Sequence, residues 1–156
     1  MSMIKIIAVG KIKDKNLSVL IDDYLKKISR YHKINIIEVK DEAISANDSK
    51  EHIIAKEGER ILKEIKDNDY IIALDLKGEE IDSLKLASKL DSLFVSYRNI
   101  AFIIGGSLGI DESVLKRANY KLKLSKLTFL HQMTRLIILE QIYRSFKILN
   151  NETYHK

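Results

Sequence analysis

A chain of 156 residues, 46% hydrophobic and 31% charged, has the balance of an ordinary globular domain and enough apolar matter for one core. No apolar run approaches the ~20 residues of a membrane span. The absence of cysteine excludes disulfides, thiolate metal sites and thiol nucleophiles, and it fits a reducing cytoplasm. A net charge of +5 suits a solvated lysine-rich surface and also admits an anionic partner held through phosphate contacts. The N-terminal MSMIKIIAVGK is a poor secretion signal, because its apolar core is short, contains Lys5 and lacks a small-residue cleavage site.

Taken in chain order, residues 3–9 (MIKIIAV) read as a buried strand ended by Gly10. Residues 16–30 follow as a helix, with Leu17, Leu20, Ile21, Tyr24, Leu25 and Ile28 at helical spacing and Asn16 as its cap. A second strand spans 33–39, and 40–49 is an exposed loop whose Asp48 pairs with Glu51 to open the next helix. That helix turns Ile54, Glu57, Gly58, Ile61, Leu62 and Ile65 to one side. Residues 69–76 form a third strand, KGEE (77–80) a turn, and 82–97 a helix through Leu86, Leu90, Leu93, Phe94 and Tyr97. The continuously apolar 99–106 is a strand buried on both faces. A short helix at 111–117, a strand at 120–127 and a long helix from Thr128 to Leu149 complete the chain. Strand and helix alternate without a linker or repeat, which predicts one α/β domain, residues 1–156, with a mainly parallel sheet covered on both faces.

Three of the six glycines, Gly105, Gly106 and Gly109, follow the fourth strand in FIIGGSLGID. A phosphate-binding P-loop needs Lys-Ser/Thr after its last glycine, whereas Gly109 is followed by Ile110 and Asp111. A dinucleotide fingerprint belongs after the first strand and needs more chain beyond it. Two readings remain: a strand-to-helix turn that needs positive φ, with Asp111 or Ser107 as cap, or a close backbone approach to some other ligand.

The last forty residues concentrate polar groups on one long helix and its flanks. Glu140 and Arg144 are i,i+4 partners, with His131 and Arg135 further back. The helix is apolar on more than one side, so one face goes to its own sheet and the other suggests a partner subunit, the alternative being a central helix of a monomer.

These residues carry a resemblance. The segments IKIIAVGKIK, INIIEVKDE, KEGERIL, IALDLKGE, FIIGGSLGI, LKRANYKLKLSKLTFLHQMTRLIILEQIYRSFKIL and the closing YHK resemble, in register from residue 3 to 156, the ribosomal RNA large subunit methyltransferase H family of the SPOUT class. The resemblance implies an α/β knot, in which the C-terminal segment makes a trefoil that forms a pocket for S-adenosylmethionine (SAM) and a homodimer interface. It implies methylation of N3 of a pseudouridine in 23S rRNA of the assembled 70S ribosome, in the cytoplasm, without a metal. By position it puts the cofactor against Leu74, Gly105, Leu124, Ser125, Lys126, Leu127, Thr128 and Phe129. Two positions depart from the family pattern. Leu130 stands where proline is usual, which bears on where the last helix starts, and Asn150–Asn151 stand where a glycine turn is usual, asparagine being next best at positive φ.

A sulfonium methyl transfers by in-line displacement, so placement supplies much of the catalysis. An imide nitrogen attacks best when deprotonated, which calls for a base or a cation that stabilises the imidate. The candidates are Glu140, His131 and His155 as bases and Arg135 and Arg144 as electrostatic partners. For Glu140 and Arg144 a structural ion pair is the alternative role, and for His131 a capping or core hydrogen bond. Lys11, Lys13 and Lys15, beyond the first strand, are candidates for rRNA contact or a solvated loop. Two further classes compete: a nucleotide-dependent oxidoreductase or kinase, and a ribosome- or SAM-binding protein of the same fold without turnover.

Overall fold

The computed structural model describes residues 2–155. Five strands, β1 (Met3–Val9), β2 (Ile34–Val39), β3 (Tyr70–Glu80), β4 (Asn99–Ile104) and β5 (Tyr120–Lys123), form one sheet in the order β2-β1-β4-β3-β5. Every pairing is parallel. The helices are α1 (Lys15–Ser29), α2 (Lys50–Leu62), α3 (Ser83–Ser96), α4 (Glu112–Arg117) and α5 (His131–Leu149).

Alternation along the strands sends side chains to two cores. Ile4, Ile6, Phe102 and Ile72 pack with Leu17 and Ile21 of α1, Leu90 of α3 and Ile138 and Ile142 of α5. Ile7, Ala101, Ile103 and Ile71 pack on the opposite face with Ile61 of α2 and Val114 of α4. Helix α5 lies between α1 and α3. Both faces are therefore covered, as the unbroken apolar run of β4 requires.

Local boundaries differ from the sequence expectation for identifiable reasons. The KGEE segment is not a turn but the extension of β3, which slips register against β5 between Leu74 and Glu79. Gly78 permits the slip, since a Cβ there would stand 2.6 Å from the Lys121 carbonyl oxygen. Strand β5 stops at Lys123, and α5 begins only at His131. Leu130 occupies the N-cap with φ −55°, the value a proline would impose. Asp14, not Asn16, caps α1 by accepting from the Asn16 and Leu17 amides. Ser49 caps α2 in place of an Asp48–Glu51 pair, which turns Ile53 rather than Ile54 into the core. Asp111 caps α4 as expected. Asn151 takes φ +54° after α5, so asparagine fills the expected left-handed turn.

Candidate active site

The chain leaves β1, β3 and β5 for helices on one face and β4 for α4 on the other. Neighbouring loops therefore part at the carboxyl end of the sheet and open crevices there. On one side of the β4 loop lies a cleft of ≈ 710 Å³. Its walls come from the ends of β3 and β4, the glycine loop, residues 122–130 and the first turn of α5.

The glycine loop folds back on itself. Gly106 and Gly109 form an antiparallel bridge, and the Gly109 amide donates to the Gly106 carbonyl at 3.2 Å. Gly109 has φ +102°, and a Cβ there would meet nothing within 4 Å, so the turn exposes bare backbone. Gly105 is required for a different reason: a Cβ would come within 2.7 Å of Ile110 Cγ1 and 2.8 Å of the Gly109 carbonyl oxygen.

Seven of the eight positions expected to hold a cofactor, Leu74, Gly105, Leu124, Ser125, Leu127, Thr128 and Phe129, converge on this cleft. The exposed Lys126 is not in its lining. The Ser125 hydroxyl accepts from the Leu127 amide at 3.0 Å and shapes the loop that carries these residues. The sequence reading missed Asp75 and Lys77, the charged side chains of the lining, although they directly follow Leu74. Apolar walls, a few polar atoms and open backbone suit a nucleoside-bearing ligand better than a polyphosphate.

The polar residues of α5 divide into separate groups. Arg135 is 2% exposed and donates to Glu38 Oε2 at 2.5 Å and to the Gly10 carbonyl at 3.1 Å, which fastens the start of α5 to the ends of β1 and β2. Its Nε is buried without a hydrogen-bond partner, and Arg135 does not line the cleft. His131 lines the cleft, and burial, reinforced by the Arg135 charge, lowers its pKa so that the neutral ring is favoured.

Two turns further along, Arg144 donates to Glu140 at 2.8 Å, contacts His155 Nδ1 at 3.1 Å and stacks over the Tyr154 ring at 4.8 Å. Hydrogen bonding to Glu140 raises the Arg144 pKa, and burial pushes the Tyr154 hydroxyl up to about 12. Glu140, Arg144 and His155 are thus one cluster. His155 and Phe129 border a common smaller cavity, which links this cluster to the rim of the cleft. The Lys156 end of the YHK segment lies outside the described residues. Among the described residues no group of three or more His, Cys, Asp or Glu is arranged to hold a metal, and no helix is long and apolar enough to cross a membrane.

A parallel sheet covered on both faces, with a cleft at its carboxyl edge, makes the chain an open α/β protein. A probable methylase family protein from Haemophilus influenzae superposes with a TM-score of 0.56 at 15% identity, covering 98% of this chain and 70% of that one. A tRNA (m1G37) methyltransferase from Aquifex aeolicus gives 0.56 at 14%, covering 92% and 70%. These two show the fold. The family described as "Predicted SPOUT methyltransferase" matches residues 2–155, and the chain belongs to it. Curated relatives named "Ribosomal RNA large subunit methyltransferase H" include one from Alkaliphilus oremlandii, 57% identical over 98% of this chain and 99% of that one. Another, from Clostridium kluyveri, is 54% identical over the same shares.

Proposed function

We propose that this methyltransferase uses SAM held in the ≈ 710 Å³ cleft to methylate N3 of a pseudouridine in 23S rRNA of assembled 70S ribosomes, acting as a homodimer. One observation carries the reading: Leu74, the glycine loop, Leu124, Ser125 and residues 127–129, far apart in sequence, meet around one cleft with exposed backbone at Gly109. The relatives named as large-subunit rRNA methyltransferases support the acceptor class. The knotted path that the resemblance implies belongs to the same reading.

SAM, when bound, supplies an electrophilic methyl on a sulfonium. The chain's part is placement and charge. Leu74, Leu124 and Phe129 offer apolar surface for an adenine, and the backbone around Gly105 and Gly109 allows close approach. Asp75 offers a negative charge to cationic groups. The Glu140–Arg144–His155 cluster, presented to the acceptor from the second subunit of the dimer, takes up the proton that the imide loses or stabilises the negative charge left on the ring. Dimerisation is supported by the apolar surface beside the cleft, where Leu127, Leu130 and Met133 are 71%, 64% and 42% exposed. An interface there would set the cleft at the edge of a second subunit.

The test supplies SAM with a labelled methyl group to unmethylated 70S ribosomes, separated 50S subunits and free 23S rRNA, with the labelled nucleotide mapped by mass spectrometry. Label on one pseudouridine in the 70S sample alone is the expected result. No label anywhere, despite SAM binding, would leave a binding protein of this fold without turnover.

A further inference from the structure

On the other side of the β4 loop lies a second crevice of ≈ 760 Å³, between the ends of β1 and β2, α2 and the glycine loop. It occupies a reversal point of the sheet. The neighbours β1 and β4 lead into α1 and α4 on opposite faces, which is where open α/β sheets bind ligands. The two cavities share Gly106, Ser107, Leu108 and His131, so the glycine loop and the first residue of α5 are a common wall. At Gly106 that wall is backbone alone. A Cβ there would stand 3.2 Å from both Glu57 Oε1 and Val9 Cγ1.

The crevice is a built structure. Glu57 is 6% exposed and forms its floor, with Oε2 accepting from the Glu42 amide at 3.0 Å. Burial raises the pKa of this carboxyl. Gly58, the next residue, lets α2 approach α4, since a Cβ there would lie 2.9 Å from Asp111 Cβ. Consecutive residues of α2 thus back both ends of the glycine loop. Gln132 Nε2 donates to the Lys11 carbonyl at 3.3 Å and fixes the rim, where the exposed Lys11, Lys13 and Lys40 supply positive charge. Of the four carboxyls in the lining, Glu38 is paired with Arg135 and Glu42 with Arg60, which leaves Asp41 and Glu57.

We infer that this second crevice receives the acceptor nucleotide, its base entering toward Glu57 and His131 and its backbone phosphates lying on Lys11 and Lys13. The inference rests on the proposed reading that the acceptor is RNA. A cationic rim over a polar floor matches a nucleotide, with phosphates outside and base-edge hydrogen bonding within. The two cavities adjoin along the glycine loop and His131, so a base held in this crevice meets the methyl over that shared edge for in-line attack, without competing for the donor cavity. A second donor molecule would not need the cationic rim.

Two variants on exposed residues, the charge reversal Lys11→Glu with Lys13→Glu and the obstructing Ala43→Trp, test this without touching the core. The affinity for SAM is measured by calorimetry, and KM and kcat for unmethylated 70S ribosomes at saturating SAM across a salt series. Both variants are expected to raise the ribosome KM by about tenfold or more and leave the SAM dissociation constant within about twofold; the lysine pair also makes the salt dependence shallower by about two phosphate contacts. A ribosome KM within about twofold of the unmodified protein for both variants overturns the inference, and so does a SAM dissociation constant that rises in step. Unmodified protein that methylates no ribosome overturns the functional reading and this inference together, whereas active unmodified protein with unaffected variants overturns this inference alone.

Discussion

At its start, α5 has no side-chain cap, and Leu127, Phe129 and Leu130 before it are 71%, 37% and 64% exposed around an open cleft. At its end, Arg144 alone engages Glu140, His155 and Tyr154, Lys147 pairs with Glu152 at 2.7 Å, and Tyr31 donates to the same carboxylate. The far end satisfies its polar groups within the chain. The near end leaves apolar surface and bare backbone for something outside it. Groups already partnered inside a subunit frame a site, and unpartnered surface beside a cavity marks where binding is done.

Arg135 fastens the near end of α5 to the sheet, and its loss breaks the contrast most severely. Arg135→Ala leaves Glu38 without its guanidinium and opens a cavity under α5. Glu38 is 37% exposed, so the expected cost lies at the lower end for a buried pair, about 3 kcal/mol, read as a fall in Tm of roughly 6–12 °C in a thermal melt. A loss below about 1 kcal/mol would mean that Arg135 does not hold the start of α5.

The sheet and its two covering layers were legible in the sequence because alternation of strand and helix is a local pattern. The cleft was legible through the resemblance, which placed seven of its lining residues by register. Partnerships across the chain were not. Nothing near Arg135 points to Glu38, 97 residues away, and nothing near Lys5 in an apolar strand points to Asp69, with which it pairs at 3.2 Å. The strand character of KGEE was hidden because it depends on the Lys121 carbonyl passing over Gly78.

Gly105→Val sharpens the contrast from the cleft side. Its Cβ would collide with Ile110 and the Gly109 backbone, at an expected cost of about 2 kcal/mol in denaturant unfolding. SAM affinity should fall at least about tenfold, which is about 1.4 kcal/mol, because the loop must shift. Glu140→Gln at the far end should cost only about 0.5 kcal/mol, for a pair 22–24% exposed. Its SAM affinity should stay unchanged.

The neutral His131 gives a pH signature. Its folded pKa lies below the ordinary 6.5, so below that pH the unfolded chain takes up a proton the folded chain declines, and stability falls as pH falls. One proton sets a ceiling of about 1.4 kcal/mol per pH unit, reduced by solvent around this half-buried ring. Glu57 acts with the opposite sign: its raised pKa makes stability fall as pH rises above 4.5. His131→Gln should therefore flatten the acid limb of a stability–pH curve near pH 6 and leave the Glu57 contribution in place. An unchanged limb would show that His131 is solvated.

The smallest effect is a gain. Leu130 already has φ −55°, so Leu130→Pro should stabilise by about 0.5 kcal/mol, through fewer unfolded conformations, and raise Tm by roughly 1–2 °C. A loss instead would mean that the Leu130 amide or side chain is used at the cleft rim.

The most direct test of the division between the two ends of α5 is an NMR titration of the assigned amides with SAM. The largest shifts should fall on residues 104–110 and 124–131, with the amides of 140–149 nearly still. Shifts concentrated on the Glu140–Arg144 end, with the glycine loop unmoved, would contradict the assignment of the cleft as the methyl-donor site.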